Sequence, residues 1–283
     1  MASQLLYALA MLLALLAVIA PVVGGSPVGP DEFPDVVVVA GWTGLCSGTL
    51  IAPDLVLTAG HCAAIDPQAV LVGSIDYGIP GGELVPIASV IAYPDWQHTH
   101  DVAIVVLATP VENVTPRAIA ASCAPADGDA FRVVGFGLTD PAGSDASTEL
   151  ETALVPIDDA DCTRDPACRA PLAPGGELIA GGDGADACFG DSGGPLLVPA
   201  VDGEALLGVV SRATGEARTP CGGAAVYERA DAIVPWIEQA TGRAIGRAAC
   251  VLDAPSPANG CAVSPGAGGL IALAPILRRR RRA

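Results

Sequence analysis

An all-β fold is what the sequence predicts, and three observations carry it. The apolar, β-branched runs are short, turn residues separate them, and only one segment has helical spacing. The runs fall at residues 36–40, 55–58, 69–72, 102–107, 132–136 and 206–211. Gly, Pro, Asp and Asn stand between them; 34 Gly and 25 Pro in 283 residues leave little room for long elements. Short strands so punctuated belong to a barrel or a sandwich. One helix is expected late, over about 232–240, with Asp231 as its N-cap. No repeat of fixed period is visible.

Charge and cysteine content narrow the setting. All 14 basic residues are Arg, and five of them sit together at 278–282. The remaining nine face 31 acidic residues, so the body is strongly anionic and repels nucleic acid and anionic lipid. Nine Cys are many for a cytosolic chain and fit an oxidising compartment. Residues 5–20 form an almost unbroken apolar run ending at Pro21, which is too short to span a bilayer and has the length of a signal-peptide core. We therefore expect a signal peptide over 1–21, a folded body over 22–242 and a linker rich in Ala, Gly and Pro over 243–260. The remaining tail, 261–283, holds Cys261, a short apolar run broken by Pro275, and the five Arg.

Two motifs carry chemistry. One is Leu57-Thr58-Ala59-Gly60-His61-Cys62, and the other is Gly190-Asp191-Ser192-Gly193-Gly194-Pro195. A serine hydroxyl is a weak nucleophile until a base takes its proton, and histidine suits that role near neutral pH. A buried carboxylate normally fixes the histidine tautomer. Glycines flanking the serine let backbone N–H groups converge on a developing oxyanion. Gly190-x-Ser192-x-Gly194 also matches the nucleophile elbow of α/β-hydrolases, in which the histidine follows the serine. Here the three histidines, His61, His98 and His100, all precede Ser192, which removes that reading. Order alone leaves the Asp-His-Ser arrangement of subtilisins open, because Asp31 and Asp35 precede His61. The β-rich pattern and the local motifs argue against it.

From about Val22 to Gly242 the chain resembles the trypsin-like proteases. The resemblance is carried by Cys46-Ser47-Gly48-Thr49-Leu50-Ile51, the two motifs above and His100-Asp101-Val102-Ala103-Ile104, all in family order. It implies two six-stranded antiparallel β-barrels packed together, with the active site between them and a helix at the C-terminal end. It further implies a serine endopeptidase acting on protein or peptide substrates without cofactor or metal. His61, Asp101 and Ser192 would be the catalytic triad, and the backbone N–H groups of Gly190 and Ser192 the oxyanion hole. Ser211 would support Asp101. Asp186 would lie at the base of the primary specificity pocket and favour cleavage after Arg or Lys. Ala213 and Ala225 stand where glycine is common and would narrow that pocket, and Arg212 would compete for Asp186.

Val22-Val23-Gly24-Gly25 resembles a mature N-terminus whose α-amino group would pair with Asp191, although Pro21 replaces the usual basic residue before it. Expected disulfides are Cys46–Cys62, Cys188–Cys221 and a short Cys162–Cys168 loop; Cys123 and Cys250 remain to pair, leaving Cys261 odd. The tail resembles the MYXO-CTERM sorting signals of bacterial surface proteins, which implies a sorting protease as partner, tail-mediated membrane contact and a secreted or surface-attached protein. His98-x-His100-Asp101 has the residue types of a zinc site, but Asp101 is already engaged. Ser74 lies near where calcium-binding relatives carry an acid, and no calcium site is expected there. Asn113-Val114-Thr115 matches a glycosylation pattern, and we assign it no role. The competing reading is a catalytically silent, protease-like binding protein, or a protease preferring small residues.

Overall fold

The computed structural model describes residues 22–144, 147–182, 184–215 and 221–252. The expected signal peptide, the sorting tail with Cys261 and the stretch 253–260 lie outside the described residues.

Fifteen strands and one helix make up the described body. The first part holds β1 (Ser26–Pro27), β2 (Val36–Gly41), β3 (Leu45–Ala52), β4 (Leu55–Thr58), β5 (Pro67–Val72), β6 (Glu83–Ala92) and β7 (Ala103–Leu107). The second holds β8 (Ile119–Ala121), β9 (Ala130–Gly135), β10 (Glu151–Asp159), β11 (Glu177–Ala180), β12 (Pro195–Ala200), β13 (Gly203–Ala213), β14 (Ala225–Arg229), α1 (Ala230–Thr241) and β15 (Arg247–Ala249). Strands β2-β3-β4-β7-β6-β5 close into one antiparallel barrel. In the second, β9-β10-β11-β14-β13-β12 closes because β12 pairs with both β13 and β9. The all-β expectation and the two six-stranded barrels are therefore both observed.

Strand alternation explains why these runs are apolar on every residue. In β2, Val37 and Val39 fill the first barrel, while Val36 and Val38 face outward into a core shared with the second. Val56 against Leu55 and Leu57, and Val105 against Ile104, repeat the pattern in β4 and β7. From the other side, Val134 of β9 and Leu206 and Val209 of β13 enter the shared core, whereas Val133, Leu207 and Val210 fill the second barrel. A strand buried on both faces shows no polar alternation, only a continuous apolar run. A largely buried pair, Asp35 and Arg117, clasps the barrels: Arg117 Nε and Nη2 reach the Asp35 carboxylate at 2.7 and 2.6 Å, and its Nη1 donates to the Glu204 carbonyl at 3.0 Å.

The helix is longer than expected and capped differently. Ala230, Ile233, Val234 and Ile237, at the i, i+3, i+4, i+7 positions of α1, are buried in the shared core. Asp231 is not the N-cap. That position is Arg229, which makes no side-chain cap bond; Asp231 lies in the first turn and pairs with Arg229 at 3.0 and 2.9 Å. Its charge still favours the positive helix end. Gly242 adopts φ 67° and donates to the Glu238 carbonyl, ending the helix.

The chain does not leave the body after Gly242, as the linker expectation had it. β15 runs parallel to β8, which itself pairs with β13, and Cys250 closes a disulfide with Cys123. The Ala and Gly content that reads as linker here reflects a short added strand.

A chain ending at Gly242 loses β15 and this disulfide. It should melt roughly 5–10 °C below a chain ending at Leu252, from the ~2–4 kcal/mol that one disulfide typically contributes in a body of this size. Calorimetry of the two truncated chains checks this, and coincident transitions would show that residues 243–252 add nothing.

Candidate active site

The site lies where the barrels meet, in a cavity of about 520 Å³ lined by His61, Trp96, Asp101, Ser192, Ser211 and Ala213 among others. His61 sits in a 3-10 turn, Gly60–Ile65, after β4. A Cβ at Gly60 would come within 2.8 Å of Trp96 Cβ and 2.9 Å of Asp101 Oδ1, so the acid can approach only because that residue is glycine. Asp101 grips His61 twice. Its Oδ1 accepts the His61 backbone N–H at 2.8 Å, and its Oδ2 lies 2.9 Å from Nδ1. Ser211 Oγ donates to the same Oδ2 at 2.7 Å. Burial alone would raise the Asp101 carboxyl, yet the contacts with His61 and Ser211 outweigh it and hold the group below its ordinary range.

The loop carrying Ser192 belongs to the second barrel and is pinned to the first. Gly193 has φ +83°, and a Cβ there would lie 2.1 Å from Thr58 Oγ1 and 2.4 Å from the Ser47 carbonyl. Ser47 accounts for most of the docking. Its N–H donates to the Ser192 carbonyl at 2.9 Å, its Oγ donates to the Gly190 carbonyl at 2.8 Å, and Phe136 N–H donates to that Oγ at 3.1 Å. Ser47 stands in the motif Cys46–Ile51, but nothing in that motif marks it for this task. Gly190 has φ +100°, and among the described residues neither its N–H nor that of Ser192 meets a protein acceptor. The serine therefore has two free donors at hand, its own N–H and that of Gly190. Cys46–Cys62 ties β3 to the turn carrying His61, Cys188–Cys221 lies along the cavity wall, and Cys162–Cys168 closes a short loop, each pairing as expected.

Comparison with known proteins agrees with this geometry. The family model described as Trypsin matches residues 22–237. The chain belongs to the trypsin family. It is 32% identical over 245 residues to Trypsin 5G1 of Aedes aegypti, covering 78% of this chain and 85% of that protein. Transmembrane protease serine 5 of Homo sapiens is 31% identical over 237 residues, 76% of this chain, and the chain spans half of that relative's length. Among solved structures, neuropsin, a serine protease expressed in the limbic system of mouse brain, superposes with a TM-score of 0.65 at 25% identity, covering 76% of this chain and 98% of that one. These relatives identify a serine endopeptidase.

The cavity is lined by some, not all, of the residues expected at the primary pocket. Asp186 is buried and is not among the residues lining the cavity; Ala187, Ala213, Ala225 and the Cys188–Cys221 disulfide are. Its Oδ2 accepts the N–H groups of Gly222 at 2.8 Å and Ala224 at 3.2 Å, while its Oδ1 has no partner among the described residues. Burial raises this carboxyl against the pull of those backbone bonds. Arg212 does not compete for Asp186. It turns the other way, to Glu177 at 2.7 Å and the Ser211 hydroxyl at 3.1 Å.

The segment expected to activate a trypsin-family enzyme lies inside the fold. Val22 is fully buried, Asp186 N–H donates to the Val23 carbonyl at 3.0 Å, and a Cβ on Gly24 would lie 2.0 Å from the Gly184 carbonyl. Asp191 accepts N–H bonds from Gly137 at 2.9 Å and Cys188 at 2.8 Å, and burial pushes its carboxyl up to about 7. Sequence reasoning missed Glu151, opposite Gly135 in the β9–β10 pair. It is fully buried, and neither of its carboxylate oxygens has a partner among the described residues. Burial, then the charges of Glu149 and Asp191, raise it to about 8. With Pro21 still attached, the Val22 nitrogen is an uncharged amide, so it offers these acids no cation.

Both acids bind a proton more tightly folded than unfolded. Their burden is absent below about pH 4, grows as pH rises toward the folded values near 7 and 8, and levels off above them. Glu151→Gln in the chain that retains Pro21 should therefore raise the melting temperature at pH 8.5 and leave it nearly unchanged at pH 4. Thermal melts across that range check the sign, and an equal effect at both ends would refute it.

Proposed function

We propose that the chain is an exported serine endopeptidase in which Ser192, His61 and Asp101 act as the triad. The observation that carries this reading is the double grip of Asp101 on His61 beside a serine with two free N–H donors at hand. Ser192 Oγ bonds to the scissile carbonyl carbon as its proton passes to His61 Nε2. The carbonyl oxygen takes the electron pair and rests on the N–H groups of Gly190 and Ser192. Collapse breaks the C–N bond, and His61 returns the proton to the leaving amine. Water then attacks the acyl-enzyme through the same base, releasing a carboxylic acid and free Ser192. Asp101 holds the imidazole and stabilises its charged form.

Cleavage after Arg or Lys is our first reading of specificity, supported by the unpartnered Oδ1 of Asp186. A carboxylate with no internal partner suits a substrate cation. Preference for small residues is the second reading, supported by the Ala187, Ala213 and Ala225 lining. Activation is read as release of the Val22 amino group toward Asp191, joined there by Glu151. Four disulfides support export, and the composition of 261–283 supports tail processing by a sorting protease and surface attachment.

A fluorophosphonate should label processed protein on Ser192 and fail on Ser192→Ala; peptide mapping finds the adduct. Loss of the serine or of His61 should lower kcat by at least about 10⁴-fold. A folded, processed enzyme that takes no label is instead the silent binding protein. In a peptide-library profile, basic residues before the cut should dominate, and Asp186→Ser should reduce that preference by about 10²-fold or more. A profile dominated by Ala or Val selects the second reading.

A further inference from the structure

Behind the triad acid lies a ring of buried charge that the mechanism above does not use. Its centre is Glu228 of β14, which is fully buried. Glu228 Oε1 accepts the backbone N–H of Asp101 at 3.0 Å, and Oε2 lies 2.9 Å from His100 Nδ1. Arg212 Nη1 stands 3.6 Å from the same Oε1 and 3.1 Å from Ser211 Oγ. Ser211 in turn donates to Asp101 Oδ2 at 2.7 Å. The path from Asp101 to Glu228, Arg212, Ser211 and back to Asp101 is closed. Arg169 braces it from the 161–176 loop, with Nη1 3.1 Å from Glu228 Oε1, and Glu177 of β11 takes Arg212 Nη2 at 2.7 Å. The edge of Tyr93 covers His100, with ring centroids 5.1 Å apart.

The charged and titratable groups around Asp101 are thus His61 from the 3-10 turn, His100 from its own segment, Arg169, Glu177, Arg212 and Glu228. With both histidines neutral, three carboxylates face two guanidinium groups. The excess is one negative charge beside the imidazole that must become a cation. Burial raises the Glu228 carboxyl against the contacts from His100 and Asp101, and the two arginines compensate its charge.

We propose that Glu228 is a positioning residue for the triad: it fixes Asp101 at its backbone N–H and, through Arg212 and Ser211, at its Oδ2, and its negative charge stabilises protonated His61. The inference rests on the reading of His61 as general base. Arg212 has the opposite electrostatic effect, since its cation opposes that protonation while its geometry supports Ser211. Two residues of one ring therefore shift the same proton equilibrium in opposite directions, which packing alone does not do.

The test uses the fully processed enzyme and the acid limb of kcat/KM against pH, which reports the free enzyme's base. Glu228→Gln keeps an acceptor for the Asp101 N–H and deletes the charge. It should move the limb to lower pH by about half a unit or more and reduce kcat about tenfold with little change in KM. Arg212→Gln should move the limb to higher pH by a similar amount. Limbs that coincide with wild type in both folded variants overturn the proposal, as do limbs that move in the same direction. If Glu228→Gln yields no folded protein, Arg212→Gln decides alone, and an unmoved limb there overturns it. Fluorophosphonate labelling of the wild type separates the two levels. No adduct on Ser192 overturns the catalytic reading itself, whereas a labelled enzyme with unmoved limbs overturns only the role of Glu228.

Discussion

The site depends on one close approach between the barrels, the seating of the Gly190–Gly194 loop on Ser47 and Thr58. His61 is fixed by the first barrel and Ser192 by the second, so no element holds both. Their relation is set by where the loop lands. Gly193 makes that landing possible, because any side chain there would occupy the space of Thr58 Oγ1 and the Ser47 carbonyl. Ser47 then bonds the loop at two points, the Ser192 and Gly190 carbonyls, while Phe136 N–H holds its hydroxyl. The shared core of Val36, Val38, Leu57, Ile104, Val134 and Val209 makes the contact stiff, since close-packed apolar surfaces do not slide without opening voids. Asp101 completes the junction from within, taking His61 from one barrel and the Ser211 hydroxyl from the other.

How far the sequence discloses this depends on whether a residue's task is local. The short runs at 36–40, 55–58 and 102–107 lie in strands because a strand buried on both faces must be apolar throughout. β6 and β10 are harder to read, because Pro86 and Pro156 interrupt them and proline ordinarily demotes a strand. β15 is hidden by its small-residue composition, and only its pairing with β8 gives it away. Asp231 has the residue type of a cap, but its partner Arg229, invisible to one-dimensional reading, takes it into an ion pair.

At the site the same division holds. Motifs bring out His61, Asp101, Ser192 and the glycines because each needs a particular neighbour in sequence. Glu151 and Glu228 carry no such mark; in a chain with 31 acids, either reads as one more surface carboxylate. Asp186 is legible only through the family resemblance, and the structure adds that the chain from Gly222 to Ala224 closes over one of its oxygens. Burial is a property of the folded molecule, and it is what separates these three acids from the surface carboxylates.

The two groups of buried acids show opposite solutions to one problem. A carboxylate removed from water is costly unless cations and hydrogen bonds replace the solvent. Around Glu228 and Glu177 much of that replacement is present, with Arg169, Arg212, His100 and backbone N–H groups in contact. Around Glu151 it is missing, and Asp191 has backbone N–H groups but no cation among the described residues. The first group is therefore held in place by its own partners and suits a fixed element of the site. The second is short of a cation in the chain that retains Pro21, where the Val22 nitrogen is an uncharged amide. A fold that satisfies one set of acids and leaves the other short of a cation is biased toward whatever supplies that charge. That bias acts on the loop bearing Ser192, because Asp191 precedes the serine directly.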